Sequence, residues 1–163
     1  MHIFIKNKKL FIDSYKVKCA VGKRGIKLKK KEGDLITPKG IFNIKYIMYR
    51  KDRIPRLVSN IKRLEIQKDF GWCDDPNSNK YNQLIKLPTR YSAEKLHKKD
   101  NTYDIVLVLD YNMNPVKKNK GSAIFIHVAK KDYQSTEGCI AVKKKDLKNI
   151  VKIINKKTLV KIY

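Results

Sequence analysis

Two residues near the C-terminal end of the chain are of the types that a cysteine nucleophile and its base require. His127 closes a short apolar strand, Ala123 to Ile126, and Cys139 opens a second apolar run, Ile140 to Val142, after a polar connection. If those strands pair or neighbour, imidazole and thiol meet, and Cys139 can act as nucleophile with His127 as its base. A thiol of ordinary pKa, about 8.5, is mostly protonated at neutral pH, so it needs such help. Lys130, Lys131 and Lys143 to Lys145 flank the pair and would favour the thiolate. Gly138 directly before Cys139 lets a substrate approach the backbone, where N–H groups near Gly138 and Cys139 can point at a developing oxyanion. The same residue types also fit two ordinary core strands, and spacing alone leaves both readings open.

Other residues compete less well for chemistry. His97 is followed by lysines in a segment that Ser92 can cap as a short helix, which suits a solvated surface histidine. His2 lies at the terminus. Cys73-Asp74-Asp75 could be a fragment of a metal site, but it repeats no ligand spacing, and Asp74-Asp75-Pro76 reads equally as a turn. The three cysteines, Cys19, Cys73 and Cys139, are too few and too far apart for a disulfide framework or a paired-cysteine zinc site. No metal or cofactor is expected.

The elements that would carry the pair are mostly strands. Ile3 to Ile5, Leu10 to Ile12 and Tyr15 to Val21 are short, rich in β-branched and aromatic residues, and separated by polar turns. Alternation puts Tyr15, Val17, Cys19 and Val21 on one face, which makes Cys19 a small buried apolar residue. A basic loop, Gly22 to Gly33, leads to the turn Thr37-Pro38-Lys39-Gly40 and a strand over Ile41 to Ile47. Ile61 to Ile66 carries no clear pattern. Tyr103 to Leu109 is a near-continuous apolar run of strand length, expected at the centre of a sheet. Leu147, Ile150, Val151 and Ile154 fall at i, i+3, i+4 and i+7, the stripe of an amphipathic helix, with Asp146 at its N-terminal end. Thr158 to Tyr163 closes the chain as a strand. Many short strands with one or two helices predict a single mainly-β domain over residues 1–163.

The totals bound the partners. The formal net charge is +24, carried chiefly by lysine, which favours attraction to nucleic acid, anionic envelope polymers or anionic membrane surfaces. Scattered lysines beside abundant Ile and Asn also fit a plain compositional bias. A polyanion-binding module whose His/Cys pair is incidental is therefore a competing reading. No apolar run approaches the ~20 residues that span a bilayer, so no transmembrane segment is expected. Lysines interrupt every apolar cluster of the N-terminal stretch, leaving no signal-peptide core visible.

Several segments taken together resemble a known family. Ser135-Thr136-Glu137-Gly138-Cys139-Ile140, preceded by a strand ending in His127, is similar to the catalytic signature of the L,D-transpeptidase (YkuD-type) domain. Thr37-Pro38-Lys39-Gly40-Ile41-Phe42 resembles that family's TPxGxF segment. Gly71 to Pro76, Tyr81-Asn82, Tyr103-Asp104 and Gly121 to Phe125 follow in the order expected of a compact, short-spacer branch. The resemblance implies a β-sandwich or barrel-like catalytic domain with one or two short α-helices. It implies an acyltransferase that acts on peptidoglycan stem peptides, with Cys139 as nucleophile and His127 as general acid and base. Backbone N–H groups of Gly138 and Cys139 would form the oxyanion site, and Trp72, Asp74, Tyr81 and Thr136 are candidates for the substrate cleft. The product would be a 3–3 cross-link, or a shortened stem if water is the acceptor, and the setting would be the bacterial cell envelope or periplasm. Ala141 stands where the family commonly has an Arg associated with the substrate carboxylate, so that contact falls to another basic residue or the substrate differs.

Overall fold

The computed structural model describes residues 1–163. The chain opens with an antiparallel meander, β1 (Ile3–Lys6), β2 (Lys9–Ile12) and β3 (Tyr15–Lys18), followed by two short pieces, β4 (Ile26–Lys27) and β5 (Thr37–Pro38). Next come the long β6 (Gly40–Tyr49), the short β7 (Arg63–Glu65), and three strands that form their own sheet, β8 (Phe70–Cys73), β9 (Leu84–Lys86) and β10 (Ala93–Lys95). The last part holds β11 (Ile105–Leu109), β12 (Phe125–Val128), β13 (Ile140–Val142), the helix α1 (Lys144–Ile153) and β14 (Leu159–Ile162).

The main sheet has 9 strands and runs β13-β12-β11-β6-β14-β1-β2-β3, with β7 beside β6. Its two ends come together just beyond β3. The Ala20 N–H donates to the Ala141 carbonyl at 2.7 Å, the Ala141 N–H returns to the Ala20 carbonyl at 3.0 Å, and Thr136 N–H reaches the Val21 carbonyl at 3.0 Å. These bonds nearly close the sheet into a barrel and cover both of its free edges. The closure matters for the site, because it ties the segment around Cys139 to the N-terminal third of the chain.

The interior of the barrel is mostly aliphatic, with Cys19 and Tyr49 as exceptions. Ile105, Leu107 and Leu109 of β11, and Ile126 and Val128 of β12, point into a cluster of 26 buried residues. Leu147, Ile150 and Val151 of α1, with Ile154 just past its end, plug the same cluster, as their helical spacing predicts. Full burial of each such side chain contributes about 1.5–3 kcal/mol before the entropy of ordering it is subtracted. The alternate residues, Val106, Val108 and Phe125, face outward into a second cluster with Met48, Trp72, Leu96 and Tyr103, covered by the sheet of β8, β9 and β10. Burial on both faces is why β11 reads as an unbroken apolar run.

One expectation is corrected and one unassigned stretch is resolved. The segment after Ser92 is not a helix: Ala93–Lys95 pairs antiparallel with β8, and Leu96 is buried in the second cluster. Cross-strand hydrogen bonds to β8 there outweigh a weak capping signal of a few residues. The unpatterned stretch around Ile61 contains β7, which lies parallel to β6 with Arg63 opposite Ile47.

Candidate active site

His127 owes its position to strand parity. On β12 the odd residues face the second cluster, so the imidazole lies beside Phe125 and under Tyr103, buried with 6% exposure. The ring of Tyr103 meets the imidazole edge-on, with centroids 5.4 Å apart and planes at 88°. Nδ1 lies 2.9 Å from the Val128 carbonyl. A carbonyl can only accept, so Nδ1 carries the proton and Nε2 of the neutral ring keeps its lone pair. The group that orients the histidine is thus backbone from the next residue. Behind Tyr103, its hydroxyl donates to Glu94 Oε1 at 3.2 Å, and Glu94 pairs with Lys98 at 2.5 Å.

Cys139 sits one residue ahead of β13, which runs parallel to β12 with Ile126 opposite Ile140 and His127 opposite Ala141. Cys139 and Ala141 share a parity, and both line one cavity with His127. That cavity has a volume of about 390 Å³. The thiol donates to the Ala123 carbonyl at 3.0 Å rather than to the imidazole. The turn leading to Cys139 is clamped by two threonines. Thr37 Oγ1 accepts from the Gly22 N–H and donates to the Gly138 carbonyl, both at 2.8 Å. Thr136 Oγ1 donates to the Cys139 carbonyl at 2.6 Å and accepts from the Gly138 N–H at 3.2 Å. Gly138 has φ +151°, and a Cβ there would stand 3.0 Å from the Ile36 carbonyl oxygen, so only glycine fits. The Cys139 N–H donates to no group of the chain.

The model of the L,D-transpeptidase catalytic domain (YkuD) family matches residues 1–162. The chain belongs to the L,D-transpeptidase family. This is an enzyme family that acts on peptidoglycan peptides. No curated protein matches the chain. The mainly-β, barrel-like architecture with its one α-helix agrees with the family and with the fold expected from the residues.

Within this L,D-transpeptidase fold, the electrostatics of the pair differ from those expected of flanking lysines. Burial pushes the Cys139 thiol up to about 12 and drives the His127 imidazole down to about 4. At neutral pH the free site therefore holds a thiol and a neutral imidazole, not an ion pair. Of the flanking lysines only Lys130 lines the cavity, and its charge opposes protonation of His127. Lys144 is turned to the buried Asp104 at 2.7 Å. The cation that does favour the thiolate is Lys29, from the basic loop, paired with Asp34 at 2.5 Å with both side chains 3% exposed. Burial alone would raise Asp34, but Lys29 and the N–H groups of Lys30, Lys31 and Ile36 outweigh it and hold the carboxyl at about 2.

Of the four cleft candidates, Asp74 and Thr136 line the cavity and Trp72 and Tyr81 do not. Trp72 is 1% exposed, packs edge-on against Phe125 with centroids 5.0 Å apart, and donates through Nε1 to Asn82 Oδ1 at 3.0 Å. Tyr81 is 2% exposed; its hydroxyl donates to Glu32 and accepts from the Gly121 N–H at 2.9 Å. Trp72 thus packs against β12 through Phe125, Tyr81 is fixed beside Gly121, and neither opens on the cavity. In the sequence alone Glu94 and Lys29 have no place near the site, and Thr37 and Tyr103 figure only as parts of a turn signal, an apolar run and family-like segments, with no role at the site. No group of three or more His, Cys, Asp or Glu side chains is gathered to hold a metal ion, and the Cys73 side chain is buried.

Proposed function

We propose that the chain is a cysteine acyltransferase that joins peptidoglycan stem peptides through a thioacyl-enzyme, an L,D-transpeptidase in activity as well as family. The observation that carries this reading is the single cavity shared by Cys139 and His127, with the imidazole held so that Nε2 is the open acceptor. Cys139 Sγ attacks the carbonyl of the third residue of a tetrapeptide stem while its proton passes to Nε2 of His127. Substrate entry must first break the bond from the thiol to Ala123. Because both groups start neutral, proton transfer accompanies attack, and no standing thiolate is required.

The Cys139 N–H is the free donor available to the tetrahedral oxyanion. The Gly138 N–H, expected to share that work, is engaged with Thr136 Oγ1. Collapse of the intermediate breaks the peptide bond, and His127 passes its proton to the departing D-alanine amine. The thioester then meets an amine of a second stem, deprotonated by His127, to give a 3–3 cross-link. Such a reaction belongs at the cell envelope, where a net charge of +24 also favours contact with anionic wall polymers.

The test is incubation of the protein and its Cys139→Ala variant with disaccharide tetrapeptides, with D-alanine and dimers followed by mass spectrometry. Release and dimers from the wild type alone are expected. No release, or equal release from the variant, would overturn the enzyme reading, and release without dimers would make the chain a carboxypeptidase. Salt-dependent binding of DNA, unchanged in the variant and without any release, would leave a polyanion-binding module instead.

A further inference from the structure

Strand parity in the N-terminal meander sends Ile3, Ile5, Leu10 and Ile12 into the barrel, with Val160 and Ile162 of β14 beside them. The alternate residues stand on the outer side of the sheet. Cross-strand register lines up Ile41, Lys161, Phe4, Phe11 and Lys16 as one row, and Lys6, Lys9 and Lys18 as the next. At about 4.8 Å from strand to strand, the longer row spans about 20 Å. The two rows hold five lysines, and no acidic residue occurs anywhere in β1, β2, β3 or β14. None of these lysines is in an ion pair.

Apolar side chains are set among the cations. Phe4 and Phe11 are neighbours across the strands, and Tyr163 stacks on Phe4 with centroids 6.4 Å apart and planes at 8°. Ile41 is 62% exposed and Tyr163 50%. Each phenylalanine ring already carries a lysine, Lys161 over Phe4 at 5.4 Å and Lys16 over Phe11 at 5.6 Å. These features discriminate between polyanions. A single-stranded nucleic acid takes a groove that tracks its backbone and bare rings on which bases stack. An outer sheet face supplies no groove, and these phenylalanine rings are covered. An anionic bilayer takes breadth, unpaired cations and a few apolar or amphipathic side chains that enter the headgroup layer. The two rows offer all three, with a charge opposite to that of the lipid surface.

We propose that this face docks the protein on an anionic lipid bilayer, with the lysines at the phosphate headgroups and Ile41 and Tyr163 entering the interface. The docking has a direction. Lys18 lies over the Tyr133 ring at 4.9 Å, and the segment that follows, Gln134 to Gly138, lines the cavity of Cys139 and His127. The rim of that cavity is thereby held beside the lipid surface. Docking needs neither the thiol nor the imidazole, so it stands or falls separately from the acyl-transfer reading.

The test is flotation of the full chain with vesicles of phosphatidylcholine alone or mixed equally with phosphatidylglycerol, at low and high salt. Binding to the mixed vesicles only, weakened by salt, is expected. Lys6→Gln, Lys9→Gln and Lys16→Gln together should weaken it roughly 100-fold, about fivefold for each lysine at the surface. Neutralising Lys62, Lys68 and Lys152, which are exposed elsewhere, should change it by no more than about threefold. Ile41→Ser should weaken it a few-fold. All of these side chains are exposed, and circular dichroism checks that each variant is folded. No binding by the wild type, or equal binding to both kinds of vesicle, would overturn the proposal. Equal losses in the two triple variants would mean that net charge alone draws the protein, and unchanged binding in Ile41→Ser would leave adsorbed charge without seating; either overturns it. So would polyphosphate or DNA bound through the same lysines while the mixed vesicles are not, which would mark a site for a soluble polymer.

Discussion

The two faces of β11 and β12 are built from one stretch of chain and differ in kind. The inward face is wholly aliphatic where Ile105, Leu107, Leu109, Ile126 and Val128 meet α1, with no side chain that can donate or accept. The outward face is aromatic and polar-tipped: Trp72 reaches Asn82, Tyr103 reaches Glu94, and His127 reaches the Val128 carbonyl. Aliphatic packing needs only volume and so tolerates repacking. The outward layer needs directions as well, since the rings of Trp72, Tyr103 and His127 each carry a hydrogen bond that fixes their orientation. Adjacent residues such as Ile126 and His127 therefore serve separate ends, and substitutions should separate them cleanly.

The largest separation is expected at Cys139 and His127. Cys139→Ala should abolish the acyl-enzyme seen by intact-mass spectrometry, and His127→Ala should slow acylation roughly 10²- to 10⁴-fold, the usual worth of a positioned base. Both should unfold within a few degrees of the wild type, because neither side chain fills the barrel interior. Ile126→Ala is the converse. Its loss of about 2–5 kcal/mol, read by denaturant unfolding, should come with near-normal acylation in the fraction that stays folded. If Ile126→Ala costs more chemistry than stability, the two faces are not independent.

Thr37 should behave as a positioning residue and fall between these extremes. Thr37→Val keeps the shape but removes the donor to the Gly138 carbonyl and the acceptor of the Gly22 N–H. Acylation kcat should drop about tenfold with KM little changed, and Thr37→Ser should restore most of it. A loss that follows melting temperature alone, with no rescue by serine, would reduce Thr37 to a structural bond.

Acidity acts on the outward face too. Burial holds the folded His127 near about 4, below its ordinary 6.5, so the unfolded chain takes up this proton first. The stability tied to the neutral ring is complete above pH 6.5 and is lost as pH falls through about 4. Acylation should fade over the lower end of the same range as the base is protonated. In His127→Gln the wild-type decline in stability between those values should be visibly shallower. An unchanged pH profile would mean that other groups set it.

These contrasts also show what was legible in the residues alone. The strands of the meander, the apolar β11 and the amphipathic α1 follow from periodicity, and the thiol and imidazole follow from their types and their place between two apolar runs. Contacts between distant segments do not. Thr37 and Gly138 lie 101 residues apart, and nothing within Thr37-Pro38-Lys39-Gly40 announces that its hydroxyl clamps the turn before Cys139. Ser92 carries a cap signal that cross-strand pairing with β8 overrides. Trp72 and Tyr81 stand out by composition, yet that says nothing of whether they open on the cavity. The lysines misled for a related reason. Sequence neighbours of Cys139 are not its spatial neighbours, and burial, which decides the charge state of the pair, is a property of the fold.

The smallest expected effect tests how far ring direction, as opposed to ring bulk, matters. Tyr103→Phe keeps the edge-on contact with His127 and removes only the hydroxyl bonded to Glu94. That hydrogen bond is part of a partly exposed chain ending in Lys98, so its loss should cost a few-fold in acylation and about 1 kcal/mol or less in stability. Tyr103→Leu removes the quadrupolar edge as well and should be worse than phenylalanine in rate, although both remain apolar. If both variants keep nearly wild-type acylation, the imidazole is held by the Val128 carbonyl alone and Tyr103 merely excludes water. If phenylalanine is as poor as leucine and Glu94→Gln matches both, the Glu94 bond is what keeps the ring above His127, and the outward face works as one connected layer down to its solvent-facing ion pair.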